Sequence, residues 1–220
     1  MNFSFTNRRQ WFAAVSAVLA LSSSWLVHAA GLDDAVHELQ QGWESIRYQT
    51  PAAERAKAFE SLAQRAHTLS QAYPGRAEVL IWEGIVLSSL AGEKGGLGAL
   101  PLVKQAKGLY EQAIEIDGQA LEGSAYNSLG VLYHKVPGWP IGFGDKKKAQ
   151  ELLQKALAIN PQGIDPNFFY GEFLLDTEKA SSALPYLEKA VQAPPRPGRT
   201  LADEGRREEA RQLLAKARAS

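Results

Sequence analysis

Few residues in this chain are spaced for reaction chemistry. The 220 residues include no cysteine, which removes disulfides, thiolate metal ligands and a cysteine nucleophile. His37, His67 and His134 lie beyond residue 30; none has a partner at metal-ligand spacing, and no HExxH string occurs. His37 and His67 read as packed or surface side chains, and His134 as a helix-end residue or a ligand contact. Serines are numerous, yet no GxSxG elbow presents one, and Ser88 and Ser89 sit in a helical run. Glu60, Glu78, Glu111 and Glu151 are spread along solvated helix faces, so no proton-sharing carboxylate pair stands out. The Gly92–Gly98 string lacks the GxxxxGK order of a phosphate loop and follows no strand. The linear order therefore proposes no catalytic residue, no cofactor and no metal. An enzyme would need an arrangement that the sequence conceals.

What remains is binding chemistry, carried by aromatic and amide side chains. Trp82, Tyr126, Asn127, Asn167 and Tyr170 fall on the first helices of successive helix pairs, where asparagines can hydrogen-bond an extended peptide backbone. Tyr133, Trp139 and Phe143 cluster around a second Gly/Pro-rich string, Val136 to Asp145, with Lys146, Lys147 and Lys148 following. Two prolines limit that backbone, and aromatic anchors on a stiff segment bury area at little entropic cost. The string either folds back as a cover on its hairpin or forms the wall of a ligand or partner groove.

The elements that must position these residues are helices. Apolar residues recur at three- and four-residue steps, as in Leu152, Leu153, Ala156, Leu157 and Ile159, and nothing alternates long enough to require a sheet. Three segments superimpose by spacing: Ala106, Tyr110, Ala113, Gly118; Ala149, Leu153, Ala156, Pro161; and Ala183, Leu187, Ala190, Pro195. Each is preceded by a glycine, Gly84, Gly130 or Gly171, at offsets of 22, 19 and 12 from the first alanine. Extra residues thus enter only at the turn between the two helices of a pair. A unit of this kind cannot bury its apolar face alone and stacks on its neighbours.

The strings Tyr126-Asn127-Ser128-Leu129-Gly130-Val131-Leu132-Tyr133 and Ala183-Leu184-Pro185-Tyr186-Leu187-Glu188-Lys189-Ala190 resemble the tetratricopeptide repeat (TPR) family over residues 77–195. That resemblance implies an all-α, right-handed α-α superhelix of stacked TPR-like helical hairpins, with the first helix of each pair lining a concave face. The segment at Gly84 departs from the family pattern, with Glu83 in place of a leucine and Gly118 in place of a proline. The Gly/Pro insert at Val136–Gly138 also resembles the periplasmic T-subunit relatives of substrate-binding-protein-dependent TRAP transporters. This implies assembly with an extracytoplasmic binding protein and a small apolar ligand.

Residues 1–29 read as an export signal: Arg8 and Arg9, an uncharged apolar run from Trp11 to Val27, then a small-residue cleavage site after Ala29. The Arg8-Arg9-Gln10-Trp11-Phe12 string resembles a twin-arginine motif, and a general secretory route fits as well. Residues 30–76 form a divergent hairpin. Residues 77–195 are the repeats, with inserts at 92–101 and 136–145. Residues 196–220 are a linker and a capping helix whose Arg206, Arg207, Glu208, Glu209 and Lys216 face solvent. Lysines and arginines balance aspartates and glutamates at 24 each, so nucleic acid is not an expected partner. No apolar stretch beyond residue 31 is long enough to cross a membrane, so no stable insertion follows cleavage. The expectation is a periplasmic or secreted non-catalytic scaffold for a protein or peptide, the alternative a carrier of a small apolar ligand.

Overall fold

The computed structural model describes residues 31–178 and 180–219, and among these every regular element is helical. The expected export signal lies outside the described residues. Among the described residues nine α-helices follow in order: α1 (31–49), α2 (Ala52–Ala72), α3 (Ala77–Lys94), α4 (Ala99–Asp117), α5 (Ala120–Lys135), α6 (Lys146–Ile159), α7 (Ile164–Thr177), α8 (Ala180–Gln192) and α9 (Thr200–Ala219). Local chemistry sets several of their ends. Asp145 opens α6 by accepting the backbone N–H groups of Lys147 and Lys148, and Gly95, at φ 61°, closes α3 with its N–H on the Ala91 carbonyl. The 92–101 insert is largely absorbed into helix: α3 runs to Lys94, a single 3₁₀ turn spans Gly96–Gly98, and α4 begins at Ala99.

Successive helices pair as α3/α4, α5/α6 and α7/α8, and α3, α5, α7 and α9 touch in turn along an inner row. One joint is repeated. A Cβ on Gly84 would lie 2.5 Å from Tyr110, one on Gly130 2.8 Å from Leu153, and one on Gly171 2.8 Å from Leu187. The glycine of each first helix therefore makes room for the large residue of its own second helix. Ala106, Ala149 and Ala183 flank those residues on one side and Ala113, Ala156 and Ala190 on the other, all six with no exposed surface. Gly42 and Leu62 make the same joint between α1 and α2, where a Cβ would lie 2.9 Å from Leu62. Burying each such leucine contributes about 1.5–3 kcal/mol.

The break in the pattern at Glu83 has its compensation on α2. Glu83 is buried, with His67 Nδ1 2.9 Å from its Oε1 and the Ser70 hydroxyl donating to its Oε2. A buried carboxylate is tolerated when its oxygens are satisfied.

The C-terminal helix differs from the solvent-facing cap expected of it. Glu208 and Lys216 are exposed, but Asp203 and Arg206 are buried. The reason is that α9 turns back onto α1. Ala202 joins the apolar cluster of Leu39, Trp43 and Trp82, Arg199 Nε donates to Glu44, Arg47 pairs with Glu209 at 2.7 Å, and Tyr48 lies over Gly205. In place of the leucine or tyrosine of a repeated joint, a ring from α1 fills the space over the glycine of α9. The inner row thus closes on itself.

Candidate functional site

Closure leaves a cavity of about 410 Å³ among the inner helices, within the range of small-ligand sites. Each inner helix presents one face to it at helical spacing: Trp43 and Arg47 from α1, Trp82, Ile85 and Ser89 from α3, Ser124, Asn127, Ser128 and Val131 from α5, Asp165 and Phe169 from α7, Ala202 and Arg206 from α9, with Arg199 just before α9. A second cavity of about 260 Å³ adjoins it and shares Ser124, Asn127, Asp165 and Arg196.

The α5 face begins after a left-handed turn. Leu121, Glu122 and Gly123 all have positive φ, and a Cβ on Gly123 would lie 2.9 Å from Ile159. Left-handed Leu121 and Glu122 cost about 1–2 kcal/mol each. Asn160 holds the turn by donating to Glu122 at 2.6 Å.

Aromatic rings and hydroxyls build one side of the cavity. Trp43 meets Tyr48 and Trp82 edge to face at 5.9 and 6.3 Å, and its indole N–H donates to Ser89 Oγ at 2.8 Å. Ser88 Oγ and the Tyr110 hydroxyl lie 3.0 Å apart, and burial pushes the Tyr110 phenol well above its usual range. Burial also raises Tyr48, which therefore stays protonated.

Charge builds the opposite side. Asp165 receives Arg196 Nη1 at 2.6 Å and Arg206 Nε at 2.9 Å. Asp203 receives the backbone N–H and Nε of Arg196, both at 2.7 Å. Burial alone would raise the Asp165 carboxyl; the two guanidiniums overcome that and hold it at about 2. Asp165 is therefore a fixed anion near neutral pH. Arg206 lies 4.6 Å from both the Phe168 and Phe169 ring centres.

Three side chains bordering the cavity carry a buried polar atom with no hydrogen-bond partner: Tyr48 Oη, Trp82 Nε1 and Asn127 Oδ1. Such atoms are uncommon in native interiors, and of the four among the described residues these three border one cavity, the fourth being Asn167 Oδ1.

Of the residues proposed from sequence, Trp82 and Asn127 border this cavity. Asn167 is fully buried and donates to the Pro161 and Gly163 carbonyls, tying the α6–α7 turn. Tyr170 is packed between hairpins, stacked on Phe173 and accepting from Gln154 Nε2 at 2.9 Å. Tyr126 lies against Gly118 and beneath Lys155. Tyr133 is buried and meets Phe143 edge to face at 5.4 Å, so this end of the 136–145 insert folds onto its hairpin. Trp139 stands 90% exposed beyond it. His134 packs edge-on to Phe173, and burial lowers its pKa. His37 bonds Gln41 and lies beside Gly198.

Trp43, Arg199, Arg206 and the carboxylates that pair with them escaped the sequence reading. A signal for α9 was present: Asp203 and Arg206 share the three- and four-residue stripe of Ala210, Leu214 and Ala217. Among the described residues no group of His, Asp and Glu could hold a metal ion, and no helix is long and apolar enough to cross a membrane.

The architecture defines a TPR-like solenoid of helical hairpins. It is similar to a thermophilic TPR protein of Thermus thermophilus, at a TM-score of 0.54 and 17% identity, over 87% of this chain and 97% of that one. Weaker similarities are to MamA (TM-score 0.44, 22% identity, 77% and 94% of the two chains) and to pilF of Pseudomonas aeruginosa (0.35, 14%, 85% and 90%). At these identities the likeness is one of fold. No protein-family model and no curated protein matches the chain.

Proposed function

We propose that the protein is an exported, non-catalytic binding scaffold that receives a short segment of a protein or peptide partner in its central cavity. The observation that carries this reading is the gathering of buried, unpartnered polar atoms on Tyr48, Trp82 and Asn127 around a cavity with aromatic walls. A bound chain would supply the missing hydrogen bonds and cover the aromatic rings. Asp165 between two arginines is suited to hold charge, not to shuttle protons.

A photo-crosslinking amino acid at Val131, inside the cavity, and another at Trp139, on the exposed tip, tests the reading in the exporting cell. Adducts from position 131 that disappear with Asn127→Leu support it; adducts from position 139 alone would move binding to the tip. Export itself is tested by sequencing the mature N-terminus, expected at Ala30.

The second reading is a carrier of a small apolar ligand, which α9 favours by turning the concave face into a bounded cavity. In that case the chain would serve a substrate-binding-protein-dependent transporter, as the Val136–Gly138 resemblance implies. Native mass spectrometry of the purified protein separates the two readings, since a carrier retains a small added mass.

A further inference from the structure

The arginines around the cavity are not equally satisfied. Arg47, Arg196 and Arg206 each reach a carboxylate at 2.6–2.9 Å. Arg199 is as buried as Arg206 at its side chain, 11% exposed, yet among the described residues that side chain makes one hydrogen bond, from Nε to Glu44 at a long 3.3 Å. Among the described residues its two terminal amino groups make no hydrogen bond. A guanidinium offers five N–H donors, and leaving most of them unused in a desolvated position is unfavourable. The group lies 5.2 Å from the Trp82 ring centre, and burial, then the positive charge of Arg196, lower its pKa against the opposing charges of Asp165 and Glu44.

Other polar atoms bordering the cavity also lack a partner among the described residues: Trp82 Nε1, beside Arg199, and the Tyr48 hydroxyl can donate, whereas Asn127 Oδ1 accepts. The remaining wall, Trp43, Ile85 and Phe169, is apolar.

We propose that the cavity binds an apolar, preferably aromatic, group that ends in a carboxylate, with the carboxylate on the free edge of Arg199 and Trp82 Nε1 and the body among Trp43, Ile85 and Phe169. The inference rests on the central cavity being the binding site. A guanidinium fork matches the two oxygens of a carboxylate, and charge-assisted bonds in a partly dry site are about twice as strong as neutral ones. The same chemistry is offered by a free aryl-alkyl acid and by the C-terminal residue of a partner chain.

Isothermal titration of the purified full chain tests this with four probes: 3-phenylpropionate, 3-phenylpropionamide, and acetyl-Ala-Ala-Phe with a free or an amidated C-terminus. The acid of at least one pair is expected to bind roughly tenfold or more tightly than its amide. Arg199→Gln should bring that ratio to one, Arg199→Lys should leave part of it, and Arg218→Gln, at an exposed pair with Glu188 away from the cavity, should leave it unchanged, with helicity by circular dichroism as the check on folding. Preference for the peptide acid identifies a chain terminus as the source, and preference for phenylpropionate a free acid. Acid and amide binding equally would overturn the carboxylate while leaving the cavity as the site. A ratio that survives Arg199→Gln would overturn the role of Arg199, and no binding of any probe at millimolar concentration would overturn the inference itself. The crosslink from position 131 tests the cavity reading independently.

Discussion

The joints within α3 to α8 and the seam between α1 and α9 solve the same packing problem by different means. In each repeated joint a glycine admits a leucine or tyrosine from its own hairpin, and alanines on either side exclude water. At the seam a glycine again admits a ring, Tyr48 over Gly205, but charge does the remaining work: Arg47 pairs with Glu209 and Arg199 with Glu44, while Arg206 anchors the same helix to Asp165 of α7. The repeated joints are apolar, local and nearly interchangeable. The seam is polar, made once, and joins residues as far apart as Arg47 and Glu209, 162 positions along the chain. Stability built into every repeat leaves the closing contact free to shape the cavity.

The comparison breaks most visibly if a repeated joint is emptied. Leu153→Ala should cost about 2–5 kcal/mol, because a fully buried leucine leaves a void that tightly packed alanines cannot fill. Urea denaturation should show the midpoint fall with helicity lost in one transition. A loss confined to the α5/α6 pair would mean that the hairpins unfold independently.

At the seam the expected damage is smaller and local. Asp203→Ala removes the acceptor of three Arg196 donors and should cost about 2–3 kcal/mol, as loss of a buried charged partner does. Hydrogen exchange should quicken in α1 and α9 while α5 and α6 keep their protection. Equal quickening in all four helices would show that the seam supports the whole stack.

Acid sharpens the same contrast. The folded Asp165 carboxyl titrates at about 2, below its ordinary value, so its stabilisation is complete above about pH 4 and is lost as pH falls towards 2. The loss should be on the order of 2 kcal/mol in thermal melts across that window, and it should be absent in Asp165→Asn. The apolar joints have no such dependence.

The difference also explains what was legible. Gly84, Gly130 and Gly171 with their alanine–large–alanine partners could be read as hairpins because one contact recurs at fixed spacing. Trp82 and Asn127 were reachable because they sit on the inner helices of those same repeats. Arg199 and Glu44 could not be paired, since nothing in either neighbourhood marks the other. Pro194 to Gly198 reads as a stiff linker, and only the fold shows that it turns Arg196 and Arg199 onto the cavity. Arg206 is misplaced by polarity: a charge on an apolar stripe looks solvated until a carboxylate from α7 is put beside it, and Asp203 of the same stripe is buried against Arg196 of the linker. The 136–145 insert was read as either cover or wall, and the structure divides it.

That division gives the smallest effect and a clean control. Phe143 packs edge-on against Tyr133 with Lys107 at 6.0 Å from its ring, and Phe143→Ala should cost about 1 kcal/mol, the scale of an aromatic pair contact. Trp139, 90% exposed, should tolerate Ser within about 0.5 kcal/mol. If Trp139→Ser leaves both stability and the position-131 crosslink unchanged, the tip is neither joint nor site and recognition stays with the cavity that the seam encloses. If stability holds but the crosslink is lost, the insert reaches the bound partner from outside, and the cavity holds only one end of it.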